Sequence, residues 1–162
     1  MPIKVLFICH GNICRSPMAE YMFKDMVEKL GKKDDFYIAS AATSTEEIWG
    51  GVGNPIYPPA KAELRSHGIG NTPYTDFSGK RAIQVTKKDY DKYDYILCAE
   101  SANIRNTLRI IGGDPDGKVK RLLDFSDYPR DIADPWYTGV FDVTYNDIEE
   151  GLKAFLDKVY YK

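Results

Sequence analysis

Apolar positions fall into short blocks whose spacing changes along the chain. Ile3-Lys4-Val5-Leu6-Phe7-Ile8-Cys9 is almost continuously apolar and rich in β-branched types, the pattern of a central strand in a parallel sheet. Gly11-Asn12 breaks it. Ser16-Pro17 then supplies an N-cap and a first helical residue. Ala19, Met22, Phe23, Met26, Val27 and Leu30 recur at steps of three and four until Gly31, predicting an amphipathic helix with a start and a stop. Phe36 to Ala41 reads as a second strand. Residues 43–58, rich in Gly, Pro and Thr, read as a loop, and Pro59 to His67 as a short helix ended by Gly68. Arg81 to Val85 reads as a short extended segment. Tyr95 to Cys98 reads as a buried strand, Ala102 to Ile111 as a helix and Val119 to Phe125 as a fourth strand. Residues 126–141 are dense in Asp, Pro and aromatics and read as a loop. A last helix carries Ile148, Leu152, Phe155, Leu156 and Val159 on one face.

Alternating strands and helices predict an α/β fold with a parallel sheet covered by helices on both faces. Ligands in such sheets sit beyond the carboxyl ends of the strands, which directs attention to the end of the first strand. The 162 residues form a single domain, 1–162. Lys plus Arg total 22 against 24 Asp plus Glu, a net charge of -2, so no basic excess advertises nucleic acid or an anionic membrane. No apolar run approaches the ~18 residues that span a bilayer. The N-terminal apolar stretch has no charged leader and runs into Cys9-His10-Gly11, so it does not read as a signal peptide. Three cysteines, an odd number, point to free thiols in a reducing, cytoplasmic setting.

The chemistry concentrates in Cys9-His10-Gly11-Asn12-Ile13-Cys14-Arg15-Ser16, which joins the first strand to the first helix. Five residues separate the cysteine from the arginine. A loop of that length curls so that successive backbone N–H groups point inward, and at a helix N-terminus such a nest holds a tetrahedral oxyanion. Gly11 and Asn12 are types that tolerate a left-handed backbone. Arg15 adds a two-pronged guanidinium to the same oxyanion. Cys9, on the floor of the cradle, meets a field that favours thiolate over thiol, and a thiolate beneath a bound phosphate is a nucleophile aimed at phosphorus. Two other readings compete. In one, Cys9 and Cys14 are small core residues of a tight turn; the coincidence of strand end, Gly-Asn, arginine and helix start weakens it. In the other, Cys9, His10 and Cys14 ligate zinc. Their spacing is not that of a Cys-x2-Cys knuckle and His67 is the only other histidine, so no metal is expected.

The loop and the Ser16-Pro17-Met18-Ala19-Glu20 that continues it closely resemble the low-molecular-weight protein tyrosine phosphatases. The resemblance extends through Ser40-Ala41-Ala42-Thr43, Trp49, His67-Gly68-Ile69, Tyr93-Asp94-Tyr95-Ile96-Leu97 and Asp134-Pro135-Trp136. It implies a four-stranded parallel sheet in flavodoxin-like order. It also implies hydrolysis of aryl phosphates through a phosphocysteine, without metal or other cofactor. The substrate would be a phosphotyrosine-containing protein or a small aryl phosphate, and the protein a monomer.

Further roles follow from the same resemblance. Residues 124–136 offer four carboxylates, and sequence chemistry alone does not choose among them. Pro135 holds Asp134 extended and aromatics beside it exclude water; the resemblance makes Asp134 the general acid and then the base. The Ser16 hydroxyl, besides capping the helix, would hydrogen-bond the Cys9 thiolate. Asn12, Ser40 and His67 match family positions whose hydrogen-bonded network braces the loop. Taken singly they read as a turn residue, a strand-end hydroxyl and a helix-end histidine. Trp49, Trp136 and Tyr137 read as walls of a slot for a phenyl ring, with local packing an alternative for Trp136. A deep slot selects phosphotyrosine over the shorter phosphoserine.

The chain also departs from the family. Ala99-Glu100 stands where a Met-Asp pair is common, so holding Arg15 falls to Glu100 or to another group. Trp136 replaces the commoner Tyr. Ile13 is the residue of the tyrosine-type enzymes, where relatives resembling arginine phosphatases carry Thr. Cys14 lies five residues from Cys9; Cα atoms within about 7 Å would permit a reversible disulfide. Two rivals remain. An arsenate reductase needs a relay of further cysteines, and only Cys98 is left, inside an apolar strand. A non-catalytic phosphoprotein-binding module has no use for Cys9, Arg15 and Asp134 together.

Overall fold

In a computed structural model, which describes residues 1–162, the first apolar block is strand β1 (Ile3–Cys9), at the centre of the sheet. It pairs in parallel with β2 (Phe36–Ala42) on one side and, beyond the short β3 (Ile48–Trp49) and β4 (Val52–Gly53), with β5 (Tyr95–Cys98) on the other. β6 (Val119–Arg121) pairs with β5, giving four parallel strands in the order β2-β1-β5-β6. That is the flavodoxin-like order. The register sets Cys9 opposite Ala42, so the nucleophile candidate ends the central strand.

Alternation along β1 divides the core. Val5, Phe7 and Cys9 pack with Met18, Met22 and Phe23 of α1 (Arg15–Lys29) and with Ile148, Leu152 and Phe155 of α6 (Phe141–Phe155). Leu6 and Ile8 face the other way, with Tyr90 of α3 (Lys87–Lys92) and Ile111 of α4 (Ser101–Ile111). A strand buried on both faces has no polar positions to alternate with, which explains its continuous apolar run. α2 (Pro58–Ser66) covers the first face beside α1. No helix is long and apolar enough to cross a membrane.

The structure differs from the sequence pattern in several places. The fourth strand stops at Arg121. Leu122–Phe125 folds into a 3₁₀ turn held by two bonds that Arg121 donates, from its backbone N and its Nε, to the Asp124 carboxylate, and buries Leu122 and Leu123. Leu122 reaches so close to α6 that a Cβ on Gly151 would lie 2.5 Å from its Cγ. The segment 43–58 contains the hairpin β3–β4, with Gly50 and Gly51 at φ 58° and 79°, the backbone a two-residue type I′ turn demands. Arg81 to Val85 forms only isolated bridges, Gln84 with Ala42 and Arg81 with Pro55. α3 lies where no element was read, although its Thr86–Asp89 capping box is written in the sequence. The loop 126–141 includes a single helical turn, α5 (Pro135–Thr138), whose first amides are capped by Asp134. Ser16 is not an N-cap: α1 begins at Arg15, and the cap position falls on Cys14.

Candidate active site

The turn from β1 into α1 closes over Cys9. Asn12 takes φ 58°, the left-handed conformation its short polar side chain tolerates. This turns the Asn12 N–H back toward Cys9 Sγ at 3.3 Å. Ser16, one residue into α1, sets its Oγ 3.1 Å from the same sulfur. Asn12 Nδ2 donates to Ser16 Oγ at 2.7 Å and to Ser40 Oγ at 2.9 Å, and Asn12 Oδ1 accepts from Ile83 N at 3.2 Å. Ser40 Oγ in turn donates to Glu20 Oε1 at 2.6 Å. Cys9, Asn12, Ser16, Glu20 and Ser40 are all buried, so these bonds form without competition from water.

Arg15 is 3% exposed. Its Nη1 donates to Glu100 Oε2 at 2.5 Å and to the Ile132 carbonyl at 2.9 Å, and its Nη2 reaches Asp134 Oδ2 at 3.4 Å. Glu100 therefore does hold the arginine, from the end of β5. Burial alone would lower the Arg15 pKa; the Cys9 sulfur, Asp134 and Glu100 outweigh it and raise the value. Arg15 Nε is buried without a partner. Asp134 is brought within reach because Ile132 N bonds the Ala99 carbonyl at 2.8 Å while Asp131 accepts from Ser101 N and Arg121 Nη1.

These groups surround a cavity of about 150 Å³ lined by Cys9, His10, Gly11, Ile13, Cys14, Arg15, Asp134, Trp136 and Tyr137, together with Glu46 and Glu47. At its mouth His10 Nε2 pairs with Glu46 Oε2 at 2.8 Å, both exposed. Trp136 also packs on Tyr57, ring centroids 4.7 Å apart, so it serves as wall and as local packing together. Burial pushes the Cys14 thiol pKa up. Cys98, deep in β5, is pushed up to about 12 by the same cause and is no mobile relay.

Two expected residues lie elsewhere. Trp49 is not among the residues that line the cavity; it lies opposite Val52 in the hairpin and is 74% exposed. His67 takes no part in the network around Asn12. Spaced four residues from Glu63 on α2, it bonds that carboxylate at 2.8 Å, and its ring stacks on Tyr145 of α6 at 3.6 Å. The network ends instead on residues that sequence reasoning missed. Lys80 donates to the Ser40 carbonyl at 3.0 Å and lies 3.7 Å from Glu20 Oε1, while Lys24 holds Glu20 Oε2 at 2.8 Å. Burial pulls the Lys80 pKa down, and Glu20 partly offsets it. Only the four-residue spacing of Glu20 and Lys24 was a local signal; Lys80 had none.

Residues 4–162 match the family described as low molecular weight phosphotyrosine protein phosphatase. The chain belongs to that family. It is 37% identical over 160 residues to the low molecular weight protein-tyrosine-phosphatase YfkJ of Bacillus subtilis, covering 97% of this chain and 96% of that one. It is 39% identical over 161 residues to the low molecular weight phosphotyrosine protein phosphatase of Mus musculus, covering 96% and 95%. Among solved structures, that of B. subtilis YfkJ superposes with a TM-score of 0.86 at 36% identity, covering 99% of this chain and 96% of that one. SP-PTP, the low molecular weight protein tyrosine phosphatase of Streptococcus pyogenes, gives 0.80 at 34%, covering 97% and 93%. This phosphatase is thus a hydrolase of phosphotyrosine.

Proposed function

We propose that Cys9, Arg15 and Asp134 carry the hydrolysis of phosphotyrosine and other aryl phosphate monoesters in two steps. In the first, the Cys9 thiolate attacks phosphorus, the S–P bond forms as the P–O(aryl) bond breaks, and Asp134 gives its proton to the departing phenol oxygen. In the second, water attacks phosphorus, Asp134 takes the water proton, and the S–P bond breaks to return the thiolate. The Ser16 hydroxyl supports the sulfur as it leaves. Arg15 and the amides of residues 10–15 meet the charge on the equatorial oxygens, a task for which kinases use Mg²⁺.

One observation carries this reading. Cys9 and Arg15 from the β1–α1 turn and Asp134 from a segment far along the chain line one cavity, with Arg15 bonded toward Asp134 and its Nε still free to donate. The walls Trp136 and Tyr137 favour a phenyl ring. The cavity is complete within one chain, which fits a monomer acting on a phosphotyrosine-containing protein or a small aryl phosphate, and free cysteines fit the reducing cytoplasm. The test is hydrolysis of p-nitrophenyl phosphate in EDTA with vanadate as inhibitor. Wild type turns over and Cys9→Ser binds phosphate without turnover. Metal-dependent turnover, or an active Cys9→Ser, overturns the assignment.

A further inference from the structure

Two charges have no part in those steps: Glu20, buried on α1 at 4% exposed, and the partly buried Lys80, whose side chain is 11% exposed. Burying an ion pair is costly and in itself weak evidence of stabilisation, so the place of this one matters. The two residues of the Ser40–Glu20 hydrogen bond are bridged by one ammonium group, which donates to the Ser40 backbone carbonyl and faces Glu20 Oε1. The donors and acceptors that follow admit one direction. A carboxylate only accepts, so the single Ser40 hydroxyl hydrogen goes to Glu20. Ser40 Oγ is then left to accept from Asn12 Nδ2. Asn12 cannot flip its amide, because Oδ1 must accept from Ile83 N. Its second Nδ2 hydrogen therefore goes to Ser16 Oγ, and the Ser16 hydrogen is left for Cys9 Sγ at 3.1 Å, with the Ala41 carbonyl farther off at 3.5 Å.

We infer that Lys80 and Glu20 are positioning residues for the nucleophile: their ion pair keeps Ser40 Oγ as an acceptor for Asn12 Nδ2, which together with Ile83 N holds the Asn12 amide in place, so that Asn12 donates to Ser16 and Ser16 to the Cys9 sulfur. Lys80 holds Oε1, the oxygen Ser40 uses, whereas Lys24 holds the outer Oε2; the larger share falls to Lys80. The inference rests on Cys9 being the nucleophile.

The test compares wild type, Lys80→Met, Lys80→Arg, Glu20→Gln and Lys24→Met in p-nitrophenyl phosphate turnover and in iodoacetate alkylation, read at Cys9 by fragmentation mass spectrometry. Lys80→Met and Glu20→Gln are expected to lose kcat by about tenfold, the effect of weakening one charge-assisted hydrogen bond, with KM changed by less than about twofold. Cys9 alkylation slows by a similar factor. Lys80→Arg restores both, and Lys24→Met loses less than Lys80→Met. Should Lys80→Met not fold, the isosteric Glu20→Gln carries the test. Folded variants that keep the wild-type kcat and alkylation rate overturn the inference, as does a kcat loss that Lys80→Arg leaves unrepaired. A wild type inert toward the substrate overturns the assigned chemistry itself, a distinct failure.

Discussion

Two of the segments around the cavity are held in different ways. The β1–α1 turn is buried, and its polar side chains are tied to one another and to the interior. The segment from Ser126 to Thr138 crosses the surface and is held at separate points. Asp131 anchors it to Ser101 and Arg121, Ile132 to Ala99 and Arg15, and Arg130 to Asp147 and Glu150 on α6. Beyond Asp134 it ends in Trp136 and in Tyr137, which is 85% exposed. In the proposed mechanism the buried turn meets the phosphate, which has one shape, and the surface segment meets the leaving group, where the exposed Tyr137 leaves room for rings of different shape.

Perturbations that break this contrast rank by depth. Asp134→Ala is expected to cut turnover within the ~10²–10⁴-fold range of general acid catalysis, most for poor leaving groups; equal loss for phenols of high and low acidity would remove Asp134 from the donor role. Arg15→Lys, which loses the fork that grips Glu100, Ile132 and the oxyanion at once, should lower kcat by about 10²–10³, read with p-nitrophenyl phosphate. Peroxide should inactivate the enzyme by joining Cys9 to Cys14, two thiols and one peroxide giving a disulfide and two waters. Dithiothreitol should restore activity to wild type, and Cys14→Ser should recover less.

Asp131→Asn loosens an anchor without touching substrate. It should lower kcat by roughly threefold to tenfold for poor leaving groups while leaving p-nitrophenyl phosphate nearly unaffected. The smallest effect concerns Glu150, whose bonds from Arg130 and Ser126 lower its pKa from 4.5 to about 2. A depressed carboxylate contributes stability that is present above pH 4.5 and fades as pH falls toward 2. Being half exposed, the pair contributes under about 1 kcal/mol. Glu150→Gln should therefore lower the urea midpoint slightly at pH 7 and not at pH 2.

The same contrast explains what the sequence disclosed. β1, α1 and the cradle are consecutive, so strand period, helix period and the Cys9-to-Arg15 spacing could be read from one stretch. Asp134 lies 119 positions from Arg15, and only the family resemblance picked it out from four carboxylates. Glu100 was half legible as a departure in a matched position; that it reaches Arg15 across 85 positions is a tertiary fact. Glu20 figured only as the end of the Ser16-to-Glu20 motif, and Lys80 fell between the segments that could be read. Neither residue type announces burial, because burial there depends on a partner elsewhere. Trp49 stands in a tight hairpin turned by two left-handed glycines, and its exposure is set by that turn, which its sequence neighbours could not reveal. His67 misled because its local partner, Glu63, satisfied it before any distant network could. β6 stopped short because Asp124, three residues on, takes the Arg121 N–H and guanidinium and turns Leu122 and Leu123 inward.

Asn12 is the one non-glycine residue with a left-handed backbone. Glycine would take that backbone without strain, but it would leave Ile83 N, Ser16 and Ser40 without the partner that the Asn12 amide gives them. One side chain therefore serves scaffold and sulfur together, and efforts to harden this protein against heat should leave that position alone.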